Sequence, residues 1–287
     1  MIDKRIVSLA LALGLLLSTI GPAFATPADG AAARQTPPGL AKKTFVHHDE
    51  SFAAMQSVAI AFASGTRALK ATAAFATTEK PCAKPGYASC PTYVYDGVHW
   101  RAGSRIVYYI NMNYSHAKSP TLTQTAVRAA IDGTFRTWGL AMPKSGGLIF
   151  VDGGRTSLLP GRHDGRNVIG WGTLPWGTIA QTSVYYYPST GQIVEADITL
   201  NNRYSWAYTA PTTCNVSSLY CNPGPAGPRG AYDLRNVVTH EAGHTLMLDD
   251  LYGWSNRNLT MYGYASPNQR SKDSLGLGDR LGVRTIY

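Results

Sequence analysis

Past residue 20 the chain has no apolar run long enough to cross a bilayer, which takes about 20 such residues, so no later segment is expected to anchor it in a membrane. Acidic side chains are scarce, 17 Asp and Glu against 26 Lys and Arg, for a formal charge of +9. From Pro91 onward 17 basic residues face 12 acidic ones, which leaves +5. These arginines are scattered and never interleaved with aromatics, which argues against a nucleic-acid partner. Cysteine is rare as well: Cys82 and Cys90 form one close couplet, Cys214 and Cys221 another. An even count in an exported chain points to disulfides, and pairing within each couplet needs the least long-range coincidence, although spacing alone does not fix connectivity.

What is present at the start is a leader. Lys4-Arg5, the apolar run Ile6 to Ile20 and then Ala23-Phe24-Ala25 have the three regions of a secretory signal, with cleavage expected after Ala25. The run is too short for a stable membrane span, and no cysteine follows the cleavage point to carry a lipid anchor. A soluble, exported, monomeric protein is expected. Residues 26–91 are rich in Ala, Thr, Pro and Lys, with little strand or helix periodicity apart from Ala53 to Ala74. They read as a propeptide, or as a linker or N-terminal extension, ahead of a domain covering 92–287.

The chemistry concentrates in His240-Glu241-Ala242-Gly243-His244-Thr245-Leu246-Met247-Leu248-Asp249-Asp250. On a helix His240 and His244 are one turn apart and face one way, so two imidazoles can hold one metal ion. Glu241 then sits beside the metal, placed to take a proton from water. Asp250 can add a third ligand if the helix ends and the chain turns back, with Asp249 as the competitor. Three protein ligands plus a water is the pattern of a catalytic zinc, whereas a structural zinc is closed by four. Asp233 is a natural N-cap for this helix, whose first turns carry Leu234, Val237 and Val238.

With Leu259-Thr260-Met261-Tyr262 downstream, the chain resembles the metzincins, and within them the matrixin-like secreted peptidases. Their pattern is HExxHxxGxxH or HExxHxxGxxD followed by a methionine turn beneath the zinc. His240, Glu241, His244, Asp250 and Met261 match it position by position. The family glycine is Met247 here, and methionine tolerates φ > 0 poorly, so the helix could end differently. The resemblance implies a secreted zinc endopeptidase acting on proteins or peptides, with Glu241 as general base and Thr178 to Val184 as the sheet edge above the cleft. It implies one catalytic zinc; calcium has no assignable ligands. Pro81-Cys82-Ala83-Lys84-Pro85 faintly resembles the family's inhibitory switch segment, which gives Cys82 a second reading, although the segment's usual arginine and glycine are missing. Some relatives place a tyrosine two residues after the methionine; that place is Gly263, so Tyr264 is read as groove wall. The runner-up function is a non-catalytic exported binding module that kept the fold.

The element pattern agrees with an α+β class, a twisted mixed sheet packed on a long helix and the zinc helix, then a small C-terminal subdomain. Arg105 to Asn111 reads as a strand. Val127, Ile131, Phe135 and Trp138 form one stripe of a helix. Leu148 to Val151 and Asn167 to Trp171 read as strands. Thr182 to Tyr187 and Gln192 to Asn201 form a hairpin around Pro188-Ser189-Thr190-Gly191. Leu275 to Tyr287 is similar to the family's closing helix.

Overall fold

Thr123 opens the first long helix by accepting a hydrogen bond from the Ala126 N–H at 3.1 Å. The helix, α1 (Gln124–Ala141), buries Val127, Ala130, Ile131, Thr134, Phe135, Trp138 and Ala141 along one stripe. Each large apolar side chain removed from water there contributes roughly 1.5–3 kcal/mol. The structure is a computed structural model of the 287-residue chain and describes residues 39–51, 89–95, 97–114, 122–215, 220–222, 225 and 227–287. The leader, Ala53 to Ala74 and Cys82 lie outside the described residues.

Seven strands form the main sheet: β1 (Ala41–Asp49), β2 (Arg105–Ile110), β3 (Ile149–Arg155), β4 (Asn167–Gly172), β5 (Thr178–Tyr187), β6 (Gln192–Asn201) and β11 (Tyr264–Ala265), in the order β11-β1-β5-β6-β4-β2-β3. β5 is antiparallel to both neighbours, while β2, β3, β4 and β6 pair in parallel. Short pairs complete the set: β7 (Trp206–Ala207) with β10 (Tyr232–Asp233), and β8 (Thr213–Asn215) with β9 (Tyr220–Asn222). Cys214 and Cys221 are joined across the β8/β9 pair, as expected. Cys90 is disulfide-bonded too. Among the described residues no helix is long and apolar enough to cross a membrane.

The second helix, α2 (Leu234–Thr245), packs on α1 and on β5 and β6. Asp233 caps it, accepting from the Asn236 N–H at 2.9 Å. All twelve of its residues are buried, yet most are polar. A helix buried all round is normally apolar, so each polar side chain here must find a partner. Trp138 and Trp100 each donate an indole N–H to it, to Thr239 O and Thr245 O. The closing helix, α3 (Leu277–Ile286), ends the chain.

Two expectations need correction. Residues 41–49, read as part of a segment with little periodicity, form β1 inside the sheet. As a result β5 is not a free edge: β1 runs antiparallel along it from Ala41↔Tyr186 to His48↔Thr178. The inward positions of β1 are Lys43, Phe45, His47 and Asp49, of which only one is apolar, so the segment lacks the alternation by which strands are recognised. The second correction concerns the end of α2. Met247 does adopt φ 67°, the conformation a glycine would take. Met247 N–H donates to His244 O at 2.9 Å and Leu248 N–H to Gly243 O at 3.1 Å, the paired bonds of a Schellman ending. Left-handed backbone costs roughly 1–2 kcal/mol for a residue with a Cβ. The Met247 side chain is fully buried, and that burial offsets the strain.

Candidate metal centre

Because the Schellman ending turns the chain back at once, Asp250 returns to the two histidines. His240 Nε2 and His244 Nε2 are 3.1 Å apart, and Asp250 Oδ1 lies 3.2 and 3.4 Å from them. A tetrahedral ion with bonds of about 2.0–2.1 Å would hold its ligands about 3.3–3.4 Å apart, so the triangle has the right size. Each histidine has its other ring nitrogen on a backbone carbonyl, Nδ1 of His240 at 2.7 Å from Thr260 O and Nδ1 of His244 at 2.7 Å from Leu248 O. That assigns the proton to Nδ1 and leaves the Nε2 lone pairs aimed at the common point. Asp250 Oδ1 is buried without a hydrogen-bond partner, as a ligand atom would be. These buried groups could hold a metal ion.

Asp249 is elsewhere. Its carboxylate pairs with Lys43 at 3.1 Å and accepts the Asp250 N–H. It is Asp250, not Asp249, that stands with the two histidines, and its second oxygen takes a hydrogen bond from Tyr252 Oη at 3.1 Å.

The three groups of the triangle are shifted in different directions by their surroundings. Burial, and then Lys272, push the His240 pKa down to about 3. On His244 burial also acts downward, but Asp250 and Glu241 outweigh it and raise the value. Burial would raise Asp250, yet the two imidazoles hold its carboxyl well below the usual range. A metal cation would satisfy all three groups.

Glu241 lies beside the triangle. Thr182 of β5 donates its hydroxyl to Glu241 Oε2 at 2.5 Å, and Oε1 has no hydrogen-bond partner. Burial raises this carboxyl to about 7, against the lowering effects of His244 and Thr182.

The floor is held from the C-terminal end. Asp279, fully buried in the first turn of α3, accepts from the N–H groups of Thr260 at 2.9 Å and Met261 at 3.2 Å. Thr260 O in turn orients His240, so Asp279 acts on the first histidine through one carbonyl. Met261 lies beneath the helix against Gly243, where a Cβ would overlap its sulfur and crowd Trp138. Gly243→Ala is thus expected to lower stability by about 1–3 kcal/mol even though alanine is the better helix former. An unchanged melting temperature would contradict this packing.

β1 covers the centre. The Phe45 ring stacks on His244 with centroids 4.3 Å apart, and the His47 ring stacks on His240 at 3.8 Å. His47 Nδ1 comes within 3.4 Å of Glu241 Oε1. Tyr264, the expected groove wall, is half-buried in β11 and packs edge-on to Tyr252 and Tyr262.

His240, Glu241, His244, Asp250 and Met261 thus meet at one place. Sequence reasoning missed Phe45, His47, Thr182, Tyr252, Lys272 and Asp279, which reach the site from other segments. Among the described residues only two groups of metal-capable side chains occur, the triangle and the set of His47, His240 and Glu241. Glu195 and Asp197, the other close acidic pair, are occupied by backbone N–H donors from Gly161, Asp164, Gly165 and Val168. Compared with known proteins, the chain matches no family model and no curated sequence.

Proposed function

We propose that the chain is an exported zinc-dependent endopeptidase of the matrixin-like metzincin type, produced latent with β1 lying in its own substrate cleft. The observation that carries this is the triangle of His240, His244 and Asp250 with the Glu241 carboxylate beside it, all beneath the strand that an extended peptide would pair with. Bound in the triangle, zinc would polarise the scissile carbonyl and acidify a water. Glu241 accepts the proton of that water and delivers it to the leaving amine. Thr182 fixes one Glu241 oxygen and leaves the other free for this transfer. Tyr252 holds Asp250 through its outer oxygen, and Asp279 holds the carbonyl that orients His240.

The cleft binds by its main chain. β1 is itself an extended segment lying antiparallel to β5 and parallel to β11, which supports this mode of binding. Such pairing gives affinity with little sequence choice outside the pockets. It also supports latency, since the same strand cannot pair with β1 and with a substrate. The covered cleft is equally the one observation that favours a non-catalytic binding module. Against that stands the intact Glu241, oriented by a dedicated hydroxyl.

The test is cleavage of a denatured protein mixture by the zinc-loaded chain after β1 has been released, with new peptide ends read by mass spectrometry. Hydrolysis sensitive to chelator is expected; none at all would favour the binding module. Asp250→Ala should weaken zinc binding more than Asp249→Ala. The reverse order would move the third ligand to Asp249.

A further inference from the structure

Lys272 is a fully buried lysine at the foot of the cleft, in the 3-10 turn Ser271–Asp273. Its backbone N–H is held by Asn236 Oδ1 at 2.8 Å, so its position is fixed from α2. Its amine donates to Tyr262 O and lies 2.9 Å from His47 Nε2 and 3.3 Å from His240 Nδ1. The His240 nitrogen already gives its proton to Thr260 O and faces away from the metal triangle. Among the described residues no carboxylate is hydrogen-bonded to this amine. Apart from one carbonyl, its good partner is therefore the guest side chain that β1 inserts, His47.

The position of that guest along the cleft can be read from the stacking. Phe45 lies on His244 and His47 on His240, so the metal centre falls between these two inward side chains. His47 is the one on the C-terminal side. A substrate running in the same sense would place there the side chain that follows the scissile bond.

Resting on the peptidase reading, we propose that Lys272 selects this side chain and that the pocket takes acceptor-ended residues of glutamate length, glutamate or glutamine, over aliphatic ones. The acceptor atom of His47 stands about as far from its Cβ as a glutamate or glutamine oxygen would. A leucine or methionine of similar size would bury the amine with one more donor unmet, and sites built to hydrogen-bond a guest reject the analogue that lacks the group. The amine can donate in either protonation state, so the selection does not depend on its charge.

The full chain provides the test, with β1 as the guest and hydrogen exchange of the β1 amides as the readout. With Lys272 present, His47→Gln and His47→Glu should keep β1 protected, while His47→Leu should exchange roughly 10- to 100-fold faster, the worth of one buried hydrogen bond to a charged or polar amine. In Lys272→Met the order should reverse, with leucine held best. Equal protection of the glutamine and leucine variants in the Lys272 chain would overturn the proposal, and this comparison stands even if Lys272→Met does not fold. Protection of the glutamine variant with loss in the glutamate variant would restrict the pocket to neutral acceptors and overturn the glutamate half. Peptide cleavage by the released enzyme should then favour glutamine or glutamate over leucine after the scissile bond by a similar factor, and a leucine preference would overturn the proposal. If no peptide is cleaved while the exchange order holds, the peptidase reading fails and the pocket's choice of guest stands.

Discussion

Glu241→Gln is expected to leave fold and metal content intact and to lower peptide hydrolysis by roughly 10²–10⁴-fold or more. The amide keeps the shape of the carboxylate and can still accept the Thr182 hydroxyl hydrogen bond through its oxygen. It cannot take a proton from water. Because the loss is in the chemical step, kcat should fall while KM stays near its original value. Near-normal turnover by a metal-loaded Glu241→Gln enzyme would contradict the assigned role.

The second large effect concerns latency. Phe45 is 3% exposed and stacks on His244, so truncating it removes a well-packed aromatic from the strand that covers the cleft. Phe→Ala at such a site costs about 3–5 kcal/mol, which shifts the opening of β1 by roughly 10²–10⁴-fold. In the intact full-length chain Phe45→Ala should therefore hydrolyse an exogenous peptide far faster than wild type, with mass spectrometry confirming that neither chain has been cut. Equal rates would mean that β1 does not limit access. The Lys43–Asp249 pair is partly exposed and should matter little, since such pairs contribute about 0–1 kcal/mol.

The site was legible in the sequence where its parts are close together. His240, Glu241, His244 and Asp250 fall within eleven residues, and helical spacing alone predicts that the first three share a neighbourhood. The N-cap Asp233, the β5–β6 hairpin and the stripe of α1 follow from equally local rules. What was not legible arrives from a distance: Thr182 is 59 residues from Glu241, and His47 is 225 from Lys272. No spacing rule predicts such contacts. β1 escaped for a further reason. Its inward face carries Lys43, His47 and Asp49 beside a single phenylalanine, so its polar pattern suits a buried polar site and not a core. At Met247 the backbone preference of a residue with a Cβ was outweighed by burial of its side chain, which a propensity argument does not weigh.

The proposed centre holds one zinc ion among His240, His244 and Asp250. Elemental analysis of the purified chain, beside its His240→Ala and His244→Ala variants with folding checked by circular dichroism, tests it most directly. One zinc per wild-type chain is expected and essentially none in either variant after dialysis, because each histidine is one of only three protein ligands. Folded histidine variants that retain a full equivalent of zinc would contradict it.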